Sequence, residues 1–100
     1  MNYHNFYQQS ILTRGKFWGR KAAKIAWYKA PKTVLTLDKK GYYKWYEDGV
    51  LNTCYLAVDR HVKEGMGDHD ALIYDSPVTN TIRKYTYDEV LDRVSKIAGA

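Results

Sequence analysis

One hundred residues make one domain or a piece of a larger one, and a composition of 45% hydrophobic and 27% charged residues is that of a globular protein, not a disordered tail. The single cysteine, Cys54, excludes an internal disulfide framework and a cysteine-based zinc site, and it fits a reducing compartment. The net charge of +5 is unevenly placed: residues 1–44 carry ten Lys/Arg against Asp38 alone, while residues 45–100 carry six against ten acids, a polarity that suits a nucleic-acid face, two halves lying against each other, or a basic half facing an acidic neighbour.

The chain opens on MNYHNFYQQS, which reads as a short helix or an arm. It has neither the apolar stretch of a secretory signal nor the pattern of an organelle presequence, so the cytoplasm is the expected location. No apolar run is long enough to span a bilayer. A first long helix is expected from Thr13 to Tyr28, with Trp18, Ala22 and Ile25 at i, i+4, i+7 and Phe17 and Ala26 widening the stripe. Thr13 can cap it, but Arg14 and Lys16 oppose the helix dipole and Gly15 costs about 1 kcal/mol against alanine. Ala30-Pro31 ends the pattern. Thr33–Leu37 is β-prone, 38–41 reads as a turn, Tyr42–Tyr46 as extended, and 47–49 as a tight turn.

A second helix is expected from Asn52, a plausible N-cap, with Leu51, Tyr55, Val58 and Val62 on one face and Gly65 and Gly67 as its stop. Ala71–Tyr74 and Thr81–Tyr85 read as a hairpin joined by a long connection over Asp75–Asn80. Thr86-Tyr-Asp-Glu89 is a capping box. It opens a third helix striped by Val90, Leu91, Val94 and Ile97/Ala98, where Gly99 either caps the helix or is passed through. The stripe is unfinished at Ala100, so a truncation is expected there.

No constellation carries chemistry. Gly65-Met66-Gly67 lacks the Lys/Ser/Thr companion of a phosphate loop and reads as a turn. Cys54 and His61 are seven apart, too far along a helix to share one ion or form a nucleophile pair, and His69 adds no fourth ligand. Asp59-Arg60-His61 has no nucleophile beside it. Asp68, Asp70 and Asp75 lack calcium-loop spacing. The basic row Arg14, Lys16, Arg20, Lys21, Lys24, interleaved with Phe17 and Trp18, has three open readings: nucleic-acid binding, a docking face within or between domains, or a plain solvated face. Phe17 and Trp18 fall on the apolar stripe, which predicts their burial.

The residues also carry a resemblance. YQQSILTRGKFW (7–18), KIAWYK (24–29), WYEDGVLNTCYLAVDRHV (45–62), ALIYDSPVTNT (71–81) and YTYDEVLDRVSKIAG (85–99) are similar to the N-terminal segment of AMP-forming acetyl- and propionyl-CoA synthetases. The stretch YDSPVTNT points to the propionate-preferring branch. Where the family usually has Pro-Glu, this chain has Arg14 and Gly15, and where it usually has Asn, this chain has Leu56.

The resemblance implies an α/β fold. The chain would be the N-terminal fragment of an adenylate-forming enzyme, with residues 1–50 a helical and extended wrap and 51–100 a helix, a β-hairpin and the start of a third helix. It implies a parent that converts a short carboxylate, ATP and CoA to acyl-CoA, AMP and diphosphate with magnesium. The family's phosphate loop, adenine motif, acyl pocket, CoA-phosphate arginines and catalytic lysine lie beyond residue 100. No catalytic, cofactor-binding or metal-binding residue is therefore expected here, and the fragment alone is expected to be inactive and to bind no cofactor. Its expected partner is the remainder of its own enzyme.

Overall fold

The computed structural model describes residues 2–100, and these divide into two compact units, Met1–Asn52 and Thr53–Ala100. Helices and two small antiparallel sheets make it a small α/β structure.

In the first unit, α1 (Tyr3–Leu12) is the short helix read as one possibility for the opening residues, and α2 (Arg14–Ala22) begins where the helix from Thr13 was expected. Asn2 caps α1 by accepting the Asn5 amide. Thr13 does not cap α2. Its hydroxyl donates back to the Gln9 carbonyl at 2.9 Å and so closes α1, leaving α2 without a side-chain cap or an acid in its first turn. The helix expected to reach Tyr28 stops at Ala22. The Ala22 carbonyl there accepts the Trp27 indole N–H at 2.8 Å and the Ile25 amide at 3.0 Å. A side chain five residues on thus takes the place of the next helical turn.

Strands β1 (Leu35–Leu37) and β2 (Tyr43–Trp45) pair in the register Leu35↔Trp45, Thr36↔Lys44, Leu37↔Tyr43. Asp38 closes their turn by accepting the Lys40 and Tyr42 amides on one carboxylate oxygen, the local hydrogen bonding for which Asp is favoured in turns. The segment after α2 is tied down by reciprocal Lys29–Val50 backbone bonds and by the Asp48 carboxylate, which accepts the Lys32 and Thr33 amides.

Rings rather than aliphatic side chains hold this unit together. Phe6, Phe17, Trp18, Trp45, Tyr46 and Trp27 contact in succession with centroids 4.9–6.1 Å apart, the range in which aromatic pairs attract. Tyr46 sits in the left-handed region at φ 50, which costs a non-glycine residue about 1–2 kcal/mol. Its amide bond to the Val34 carbonyl, its hydroxyl bond to the Trp18 carbonyl and the rings on either side hold it there. Gly49 makes the packing possible, because a Cβ there would lie 2.8 Å from a Trp27 ring carbon.

The second unit begins with a helical run over residues 53–66, but not the regular α-helix that the i, i+4, i+7 spacing suggests. Tyr55–Asp59 is π-helical, with the Arg60 amide reaching back to the Tyr55 carbonyl, five residues away, and Val62–Met66 is broken by a kink at Gly65. The one-face alignment of Leu51, Tyr55, Val58 and Val62 assumed an α-helical pitch that this wider turn does not keep. Gly65 ends the run at φ 84, as expected of a helix-stopping glycine.

β3 (Asp70–Ser76) and β4 (Thr81–Thr86) form the expected hairpin, with Ser76↔Thr81 closing a shorter loop than expected and an irregularity between Asp70 and Leu72. α3 (Tyr87–Ala98) follows directly. The capping box is present in both directions, Glu89 amide to Thr86 hydroxyl at 3.2 Å and Thr86 amide to Glu89 carboxylate at 2.8 Å. Gly99 is the C-cap residue in a right-handed conformation, its amide donating to the Ser95 and Ile97 carbonyls.

Candidate functional site

The groups singled out in the sequence do not converge. Cys54 is exposed, its thiol 3.9 Å from the Asp59 carboxylate. The His61 ring lies against Tyr87 at 4.8 Å, and His69 pairs with its neighbour Asp68. Among the described residues no three His, Cys, Asp or Glu side chains could hold a metal ion. Arg60 reaches toward Glu64 at 4.0 Å, a helical neighbour and not a substrate position. Its Nε and the Nδ1 of His61 are enclosed without a hydrogen-bond partner. Asp70 pairs with Lys84 across the hairpin, and Asp75 is exposed.

Gly65-Met66-Gly67 is not a phosphate cradle. Gly67 is buried against Asp88, whose carboxylate occupies the space a Cβ would need and whose amide donates to the Gly67 carbonyl. A negative charge beside that glycine repels a phosphate where a cradle would attract one. The Gly65–Gly67 turn therefore does not fit a triphosphate.

The basic row has no acidic partner among the described residues. Lys21 instead stands over the Phe6 and Phe17 rings at 4.7 and 5.4 Å, and Arg14 over Tyr43 at 5.5 Å, cation–π contacts worth about 0.5–1 kcal/mol each at exposed sites. Phe17 is buried, as the stripe predicts, but Trp18 is not: it meets Trp45 edge-on at 83° and stays 38% exposed. Crossed rings make no flat platform for bases.

What the surface does offer is uncovered apolar area. Phe17 and Ala22 are the buried hydrophobic residues among those described, whereas Leu37, Tyr43, Trp45, Leu72, Ile73 and Ile82 are exposed. The total exposed area is 8100 Å² for 11.7 kDa. Two wholly separate globules of half that mass would together expose about 7,100 Å². Roughly 1,000 Å² is therefore in excess even if the two units are credited with no contact at all. With these large apolar side chains exposed, the surface is more open than that of a finished globule. Periodicity could find the stripes, but it could not tell which would be left without a neighbour.

Residues 3–57 match the model of the acetyl-coenzyme A synthetase N-terminus. The chain belongs to this family. The chain is 46% identical over 97 residues to a human acyl-CoA synthetase short-chain family member 3, mitochondrial, an alignment covering 97% of this chain and 14% of that protein. An uncharacterized protein of Pseudomonas aeruginosa is 44% identical over the whole chain, which spans 16% of its length. An acetyl-coenzyme A synthetase of Paraburkholderia phymatum is 42% identical over 85 residues, 84% of this chain and 13% of that protein. The chain thus corresponds to about a seventh of these relatives. As a member of the acetyl-coenzyme A synthetase N-terminus family it exposes large apolar side chains in both units. No helix among them is long and apolar enough to cross a membrane.

Proposed function

We propose that this chain is the N-terminal structural part of an AMP-forming short-chain fatty acid–CoA ligase, a parent enzyme that joins a short carboxylate to CoA at the expense of ATP. The reading rests above all on one observation: the similarity runs through both units yet reaches only 14% of the human relative. Magnesium would offset phosphate charge in the adenylation step, but that chemistry belongs to other parts of the parent, and no step runs through a residue described above. The role of these residues is to supply packing surface. Of the two substrates, propionate is favoured over acetate on the stretch YDSPVTNT at 74–81, whereas the names of the relatives speak of acetyl or short-chain acyl groups.

The test is a pair of measurements. The parent polypeptide should form acyl-CoA and AMP from propionate or acetate only when ATP and CoA are both present. The 100-residue chain should show no heat of nucleotide binding in calorimetry. Tight ATP binding by the 100 residues, or a parent with no CoA-dependent AMP release on any short carboxylate, would overturn the proposal.

A further inference from the structure

The face of the β3–β4 hairpin that carries Leu72 and Tyr74 looks across at Val90, Val94 and Ile97 of α3, and between them lies an open groove of about 650 Å³. Its two walls are one sheet face and one helix side. A trough of this kind cannot surround a small molecule on most of its surface, as a ligand pocket must. Leu72, Val90, Val94 and Ile97 give the groove its aliphatic part, Thr79 and Thr81 add hydroxyls, and Arg83 and Arg93 are the charged groups in its lining. Arg93 lies over the Tyr85 ring at 4.9 Å, and neither guanidinium has a carboxylate partner among the described residues. The two lysines on the same elements do have carboxylate partners, Lys84 in Asp70 and Lys96 in Asp92. Leu72 is 54% and Ile97 78% exposed, too open for aliphatic side chains at the centre of a finished core.

We propose that this groove is the seat of an apolar segment bearing at least one carboxylate, contributed by a later part of the same parent polypeptide. The proposal rests on the ligase reading for the existence of that later part. Three observations select the occupant. The human relative is about seven times as long as the aligned region, so on the ligase reading most of the parent lies outside these residues. The aliphatic lining asks for apolar side chains. The two unpaired guanidiniums ask for a carboxylate, which the planar fork of arginine binds in bidentate fashion.

Hydroxyl-radical footprinting of the intact parent, read by mass spectrometry and normalised to each residue type's intrinsic rate, tests this. Leu72, Tyr74 and Ile97 should be modified far below the rate their exposure in the isolated unit dictates, whereas Val78, at the hairpin tip and 93% exposed, should not. Replacing both arginines (Arg83→Glu with Arg93→Glu) should reopen the groove, since each lost charge-assisted pair shifts the docked equilibrium about tenfold or more. The charge-keeping pair Arg83→Lys with Arg93→Lys should leave it mostly closed, which separates loss of the carboxylate contact from general misfolding. The proposal is overturned by groove residues modified at the rate of Val78. Protection that rises with protein concentration overturns it too, since that means a second copy. So does protection that appears only with added propionate, since that means a small ligand, and so does protection indifferent to the arginine reversals. Acyl-CoA formation measured on the same samples keeps the two readings apart: activity without protection removes the docking proposal alone, and protection without activity removes the ligase reading alone.

Discussion

Replacing Gly49 by alanine tests the ring packing of the first unit at its tightest point. The added methyl would sit 2.8 and 3.1 Å from two Trp27 ring carbons and 3.2 Å from the Pro31 Cβ, whereas carbon atoms prefer about 3.5–4.0 Å. The indole must therefore move by more than half an ångström, and it is not free to do so: its N–H is bonded to the Ala22 carbonyl at 2.8 Å and its ring meets Tyr46 at 5.6 Å. Overpacking of this kind costs about 1–3 kcal/mol. Weakening the indole hydrogen bond adds about 0.5–1.5 kcal/mol. Stiffening the unfolded chain returns about 0.4–1 kcal/mol. The expected net effect of Gly49→Ala is a loss of about 1–3 kcal/mol in the first unit. Urea unfolding followed by tryptophan fluorescence measures it, with hydrogen exchange of the Val50 amide, bonded to the Lys29 carbonyl, as a local check. In a Trp27→Ala background the same substitution should cost almost nothing, because the ring it collides with is gone. A Gly49→Ala chain as stable as the original, or a cost that persists without Trp27, would refute the argument.

Two further outcomes are expected. Gly15 lies in the exposed first turn of α2 with no atom near its missing side chain. Gly15→Glu should therefore stabilise the chain by about 1 kcal/mol through helix propensity and the dipole, and a measured loss in thermal unfolding would contradict this. The Asp48 carboxyl is held below its ordinary value of 3.8 by the Lys32 and Thr33 amides it accepts. A depressed folded value means that its contribution is complete above the usual carboxylate range and is lost as the pH falls through the folded value. The Asp48 resonance should titrate below 3.8, and Asp48→Asn should reduce stability at neutral pH while narrowing the difference in acid. A midpoint at or above the ordinary value would show that the two amide bonds are not formed in solution.

How far the sequence disclosed this structure depended on the range of the interaction. The Thr86–Glu89 capping box and the hairpin before it were legible because both are written in neighbouring residues: the box in a four-residue spacing, the hairpin in alternation around Pro77 and Asn80. The helix expected from Thr13 to Tyr28 starts where expected, but its cap and its C-terminal end are set by contacts that periodicity does not register. At one end Thr13 turns its hydroxyl back to Gln9, and at the other the Trp27 indole stops the helix at Ala22. The π turn at Tyr55–Asp59 was illegible for a different reason, since a 3.6-residue template fits its apolar residues equally well. The stripe rule named Trp18, Ala22 and Ile25 as core, and of these only Ala22 is buried. A stripe records what a helix can bury and is silent on what arrives to bury it. That no catalytic residue was expected follows from the family resemblance, and the spread of Cys54, His61 and His69 agrees with the spacing argument that they do not share an ion. The unpaired Arg83 and Arg93 were missed because only the folded hairpin and helix bring them to one trough.

The π turn of Tyr55–Asp59 also bears on how this segment can change its length. A helix whose amides already reach back five carbonyls carries more chain per turn than it needs. Deleting one residue within Tyr55–Asp59 could be absorbed by retreat to the four-residue reach of an α-helix, with each amide passing to the adjacent carbonyl and none left stranded. An insertion has no such refuge. Length variation in this stretch is thus buffered in one direction only, a slack that lies within the backbone bonding and would not show in a list of side-chain contacts.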